Sequence, residues 1–311
     1  VAVRRVAIVG AGAIGGSWAT CCLAHGLDVV ATDPAPGAEA RLRAQVERQW
    51  PTAAALHLAP GASPDRLRFT ADLADAIGDA DFVQENGPER LEFKREVFAA
   101  MDAAAGPEVV LASSSSGIVA SRFQDACRHP QRVLIGHPFN PPHVIPLVEV
   151  VPGAATSASA VAAAVDFYTS IGHRPITLRK EMNGFVTNRL QAALWREAYG
   201  LVAAGVASVE DIDAAIANGP GLRWALLGPF GTQHLSGGPG GLAHVLDHLG
   251  PPMDGFWQDL LPTRLTPEVV QAVLAGNAEA RDTTDLDTLA RERDVALVEL
   301  LRLKAQHPHL D

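Results

Sequence analysis

Three cysteines, Cys21, Cys22 and Cys127, are all that the 311 residues contain, and they form neither an even disulfide framework nor a CxxC metal pair. Reduced thiols and no metal are expected of them. Lysine is almost missing: Lys94, Lys180 and Lys304 are the only three among 25 basic residues. Against 35 Asp and Glu these leave a formal charge of −10, which disfavours nucleic acid and anionic lipid over the surface as a whole. No apolar run reaches the roughly 18 residues of a membrane span. The opening stretch VAVRRVAIVGAG reads as a strand entering a turn, not as a signal peptide. A cytoplasmic protein with no membrane and no nucleic-acid partner is expected. What the chain does have is apolar material, 48% hydrophobic against 19% charged with a mean hydropathy of +0.10, enough for one large core or two smaller ones.

Through residue 180, short Val/Ile-rich runs alternate with Ala-rich helical stretches, the pattern of a mostly parallel sheet covered by helices. The runs are Arg5 to Val9, Val29 to Thr32, Phe82 to Gln84, Val109 to Ala112, Val133 to Gly136, Leu147 to Val151 and Pro175 to Leu178. Between the second and third, Pro36 to Leu58 reads as a helical excursion. Beyond Asn183-Gly184 the texture changes: Phe185 to Gly205 reads as one helix with Val186, Leu190, Leu194, Ala198 and Leu201 near one stripe, and no later segment reads as a strand. The expected fold is therefore α/β, a Rossmann-like domain over 1–183 followed by a smaller all-helical domain over 184–311.

Gly10-Ala11-Gly12-Ala13-Ile14-Gly15 follows an apolar strand directly and opens a helix, the context in which GxGxxG cradles a dinucleotide. The first glycine permits the turn, the second admits the pyrophosphate to backbone, and the third lets helix and strand pack closely. Helix-opening amides at Ala13 and Ile14 then face the phosphates. Asp33 ends the next strand, eighteen residues past Gly15, where a carboxylate accepts both adenosine ribose hydroxyls and repels a 2′-phosphate. NAD is favoured over NADP. The fingerprint by itself suits FAD as well, so the chemistry must come from elsewhere.

Four hydroxyls, Ser113 to Ser116, end another apolar strand, where open parallel sheets place ligands; helix capping or an ST-turn explains them equally. His137 follows the run Val133 to Gly136 and precedes Pro138-Phe139-Asn140-Pro141-Pro142, whose prolines suggest extended backbone. Glu149 lies inside the apolar run LVEVV, a costly place for an unpaired acid. Paired with it, His137 would take a proton from an alcohol as its carbon gives up hydride. Asn188 points away from the apolar stripe of its helix, into solvent or toward an interdomain cleft. Lys94, in EFKREVF, is either a special ammonium or part of an exposed helix face with i,i+4 charge pairs. Arg223, in GLRW, either pairs with a substrate carboxylate or lies on the surface.

With these residues in view, the chain resembles the L-3-hydroxyacyl-CoA dehydrogenase superfamily over essentially its whole length. The resemblance rests on GAGAIG (10–15), QENGPERLEFKREVF (84–98), SSSSG (113–117), GHPFNPPHVIPLVEVVP (136–152), GFVTNRLQ (184–191) and GPGLRWALLGPF (219–230). Within it the look is closest to the L-gulonate 3-dehydrogenase, or lambda-crystallin, group, with which Asn188 also agrees. HLSGGPGGLAHVLDHLGP (234–251) looks more like the carnitine dehydrogenases, whose quaternary ammonium calls for an aromatic cage. The resemblance implies an NAD-dependent 3-hydroxy acid dehydrogenase, a small hydroxy acid substrate and a homodimer. It further implies His137 as base with Glu149 as partner, Ser116 and Asn188 on the reacting oxygen, and Glu89, Lys94 and Ser114 with the cofactor. Asn140 supports the substrate site. A thioester ketoreductase on CoA or a carrier protein, and a non-catalytic NAD-binding crystallin, are the competing expectations.

Overall fold

The computed structural model describes residues 3–281 and 285–310, which divide into two compact units, 1–188 and 189–311. In the first, β1 (Arg5–Val9), β2 (Asp28–Thr32), β3 (Leu67–Thr70), β4 (Phe82–Glu85), β5 (Val110–Ser113), β6 (Val133–Pro138), β7 (Leu147–Pro152) and β8 (Arg174–Thr177) make one sheet in the order β3-β2-β1-β4-β5-β6-β7-β8. All neighbours run parallel except β6 and β7. The strand order reverses beside β1, and β1 and β4 end together at that switch point, where a doubly wound sheet opens its crevice. Helices α1 (Ala13–Ala24), α2 (Ala38–Leu56), α3 (Leu73–Ile77), α4 (Leu91–Ala104) and α5 (Ala158–Ser170) cover it. Central strands need apolar side chains on both faces. Val6 and Ile8 accordingly enter one core cluster with Trp18, Leu23 and Tyr168, while Ala7 and Val9 enter the other with Phe98, Met101 and Phe123.

Strand β3 was not expected. LRFT is short and follows a turn-rich segment, and only its parallel pairing with β2 makes it a strand. The excursion expected over 36–58 is α2, and His137 lies within β6 instead of after it. The proline run after His137 is extended only at its start, where Pro138 ends β6 and the Phe139 amide bonds the Leu147 carbonyl; farther on, Val144 and Ile145 donate their amides to the Pro141 carbonyl, closing a turn in which Pro142 takes the position that a fixed φ favours.

The second unit is helical: the rest of α6 (Thr187–Ala203), then α7 (Val209–Asn218), α8 (Pro220–Ser236), α9 (Gly241–Asp259), α10 (Pro267–Arg281) and α11 (Leu286–Ala305). Gly228 (φ 66°) with Pro229 breaks α8 in two. Helix α6 begins at Thr187, not at Phe185, because Phe185 takes φ 50° and cannot continue a right-handed turn. Its apolar stripe is uncovered, with Val186, Leu190 and Leu194 exposed. Among the described residues of this unit, Val245 and Val298 are the only buried large apolar side chains, while Trp195, Trp224, Phe230 and Trp257 are exposed. No helix among the described residues is long and apolar enough to cross a membrane.

Candidate active site and cofactor turn

Antiparallel register brings the two residues of the expected acid–base pair together. β6 and β7 align His137 directly opposite Glu149, and His137 Nδ1 lies 2.8 Å from Glu149 Oε2. The other carboxylate oxygen accepts the amides of Val186 at 2.9 Å and Thr187 at 3.0 Å, which open α6. Burial pushes the Glu149 carboxyl up, but the His137 hydrogen bond and the two amides outweigh it and hold the group below its ordinary 4.5. A carboxylate only accepts, so Nδ1 of His137 carries a proton, and in the neutral imidazole the lone pair is then on Nε2. Phe185 packs its ring 5.4 Å from the imidazole and is itself 1% exposed, which keeps this flank of the pair dry. Asn188 follows in the first turn of α6, half-buried, directly after the two residues whose amides Glu149 holds.

The nucleotide turn has the form its glycines require. Gly10 sits at φ +92°, and a Cβ on Gly15 would fall 1.9 Å from the Gly10 carbonyl oxygen. A Cβ on Gly12 would meet nothing within 4 Å, so the space beside this exposed backbone is open to a pyrophosphate. Gly12 N-caps α1 without a side-chain acceptor, leaving the first-turn amides at Ala13, Ile14 and Gly15 for a ligand. Asp33 accepts the amides of Ala11 and Ala35, both at 2.8 Å, one on each oxygen. Each oxygen retains a lone pair for a ribose hydroxyl, so these residues fit a dinucleotide.

Other expected contacts are occupied from within the fold. Lys94 is neither on an exposed face nor offered to a ligand: at 1% exposure its ammonium bonds Glu85 Oε1 (2.9 Å), Glu85 Oε2 (2.8 Å) and the Gly87 carbonyl (3.1 Å), which uses all three donors. Glu85 also receives the Ser113 hydroxyl at 2.7 Å. Glu89 closes the serine turn, accepting Ser115 Oγ and the amides of Gly117 and Ile118. Ser114 has its hydroxyl committed three ways, donating to Asn86 Oδ1 and accepting from Gln84 Nε2 and Trp18 Nε1. Ser113 and Ser115 form ST-turns with the amides of Ser115 and Ile118. Ser116, Asn140 and Arg223 are exposed, the last on α8. Sequence reasoning missed Glu85 because its nine-residue spacing to Lys94 matches no helical pairing, and it missed Gln84 because an amide ending an apolar strand has no signature.

Comparison with known proteins places these features. Residues 5–182 match the family model for the 3-hydroxyacyl-CoA dehydrogenase NAD binding domain, and residues 184–286 match the corresponding C-terminal domain. The chain belongs to the 3-hydroxyacyl-CoA dehydrogenase family. It is 53% identical over 300 residues to an L-carnitine dehydrogenase of Streptomyces coelicolor, covering 96% of this chain and 94% of that protein. To an L-carnitine dehydrogenase of Pseudomonas aeruginosa it is 47% identical over 309 residues, covering 98% and 96%. Among solved structures, 5-formyl-3-hydroxy-2-methylpyridine 4-carboxylic acid 5-dehydrogenase, an NAD+-dependent dismutase, matches with a TM-score of 0.85 at 32% identity over 98% of this chain and 99% of that one. Together these make the protein an NAD-dependent dehydrogenase of the 3-hydroxy acid type. The leaning toward gulonate finds no support among these relatives.

Proposed function

We propose that this dehydrogenase oxidises L-carnitine, with His137 as the base. The near full-length likeness to L-carnitine dehydrogenases carries the substrate assignment. The His137–Glu149 pair carries the chemistry. Carnitine has a secondary alcohol β to a free carboxylate, with no CoA to recognise, in keeping with a chain of three lysines. Bound at the Gly10–Gly15 turn and Asp33, NAD supplies the hydride acceptor. His137 Nε2 removes the hydroxyl proton, and ionised Glu149 stabilises the imidazolium that results. Ser116 and Asn188 orient the reacting oxygen, with Asn140 supporting the substrate site. Arg223 offers a guanidinium suited to bidentate pairing with the substrate carboxylate. In binding the cofactor, Glu89, Lys94 and Ser114 act by shaping the loops, since their side chains are engaged within the fold.

The test is NADH formation with L-carnitine, L-gulonate, L-3-hydroxybutyrate and its CoA ester. L-Carnitine is expected to give the highest kcat/KM by at least about tenfold. A higher value with gulonate or the thioester overturns the substrate assignment, and tight NAD binding without turnover of any of the four favours a non-catalytic protein.

The uncovered apolar helices of the second unit support a homodimer. An obligate pair of this kind buries on the order of 2,000 Å² or more. Light scattering that returns one chain mass at micromolar concentration refutes it.

A further inference from the structure

Gln84 stands one residue from the end of β4 and is 1% exposed, where an amide side chain is tolerated only if fully bonded. Its Nε2 donates to Ser114 Oγ at 2.7 Å and to the Gly136 carbonyl at 3.1 Å, and its Oε1 accepts the Tyr168 hydroxyl at 2.6 Å. A carbonyl only accepts, so Gly136 dictates which way the amide faces. The connections continue outward. Ser114 Oγ receives Trp18 Nε1 at 3.2 Å and donates to Asn86 Oδ1 at 2.7 Å. Asn86 backs onto the nucleotide turn so closely that a Cβ on Gly10 would lie 2.9 Å from its carbonyl carbon.

Gly136 is the residue before the base; β7 pairs it on one side through Val150, and on the other side two facts make its place depend on Gln84. The parallel ladder between β5 and β6 ends at Ser113 opposite Ile135, so β5 makes no registered pair with Gly136 or His137. Furthermore, the room above Gly136 belongs to Tyr168: a Cβ there would lie 1.8 Å from the hydroxyl oxygen that bonds Gln84. Gln84 thus ties the base-bearing end of β6 back to the strands that carry the serine turn and the cofactor turn.

We propose that Gln84 is a positioning residue for hydride transfer, holding His137 at a set distance from the cofactor turn through Gly136 and Ser114. It touches neither the imidazole nor Glu149. It acts on the backbone beneath the base, while Glu149 acts on the ring. This rests on His137 being the base.

Gln84→Met keeps the length and removes every hydrogen bond; Gln84→Glu keeps the shape and the acceptor contact with Tyr168 but replaces the NH2 that donates to Ser114 and Gly136 with an oxygen, which faces the Gly136 carbonyl. Both are expected to bind NAD within about threefold of the parent by calorimetry. Both are expected to lose about tenfold or more in kcat with little change in KM, because a misplaced base slows the step and not the binding. The primary isotope effect with substrate deuterated at the carbinol carbon is expected to rise. Full kcat and an unchanged isotope effect in folded variants overturn the proposal, as does a loss of kcat that only follows the folded fraction. Should both fail to fold, Tyr168→Phe, which leaves Gln84 Oε1 unbonded, is expected to lower kcat by about threefold with the same isotope signature, and its silence overturns the proposal. If the parent oxidises none of the four substrates, the base assignment fails separately. Histidine ¹⁵N spectra of the NAD-bound protein then decide on Gln84: a sharp His137 signal in the parent that broadens in Gln84→Met supports positioning, and identical signals overturn it.

Discussion

Glu149→Gln exchanges one oxygen for an NH2 and separates control of the histidine tautomer from packing. Glu149 is asked for acceptors on both sides, by His137 Nδ1 on one oxygen and by the amides of Val186 and Thr187 on the other. Glutamine has one carbonyl oxygen. Turned toward the two amides it satisfies both and presents NH2 to Nδ1; turned the other way it leaves two buried donors facing a third. The first orientation wins, and Nδ1 must then become an acceptor. A neutral imidazole in that tautomer carries its proton on Nε2 and has no lone pair there for the substrate. Loss of the correct tautomer in a histidine–carboxylate pair lowers turnover by roughly 10⁴-fold. Glu149→Ala instead strands all three donors, at about 1–3 kcal/mol each, so it loses stability as well. Stopped-flow NADH formation, urea unfolding and ¹⁵N histidine spectra distinguish the two variants. Turnover of Glu149→Gln within tenfold of the parent, or a spectrum that still shows Nδ1 protonated, refutes the reasoning.

His137→Ala is expected to lower turnover by at least about 100-fold while NAD affinity stays, measured by kinetics and calorimetry on the same sample. Lys94→Met leaves Glu85 as an uncompensated buried charge and is expected to destabilise the fold by about 3–5 kcal/mol in urea titrations; a cost under 1 kcal/mol means that water reaches the pair. His173, held chiefly by burial at about 4 against an ordinary 6.5, binds fewer protons folded than unfolded. Its contribution is therefore complete above about pH 6.5 and declines as pH falls toward 4, by roughly 3 kcal/mol in all. His173→Leu should flatten the stability curve across that window, and an unaltered slope argues against a neutral buried imidazole. Gly15→Ala drives a methyl into the Gly10 carbonyl and is expected to weaken NAD binding by at least about tenfold, with parent-like affinity as the contrary result.

Legibility differed by the kind of signal. The fingerprint Gly10–Gly15 with Asp33 reads from sequence because backbone geometry at a turn admits few residue types. Glu149 could be singled out because an acid in an apolar strand demands a partner. Lys94 misled: a lysine in a charged helical stretch reads as solvated, and nothing local says that Glu85 lies beneath it. Ser114 misled in the same way, its place at a strand end suggesting a ligand while three neighbours from other elements hold its hydroxyl.

The sequence by itself determined the α/β unit followed by helices, the glycine-rich turn, and the residue types proposed for proton transfer. These depend on periodicity and on conformations that only certain residues adopt, which are local properties of the chain. Tertiary structure decided which of the polar residues are partners. The β6–β7 register set His137 against Glu149, the start of α6 supplied the second half of that carboxylate's bonds, and Gln84 reached from β4 to Gly136. Hydrogen bonds between strands depend on register and on distance across the sheet, and neither is written in the spacing of residues along one chain.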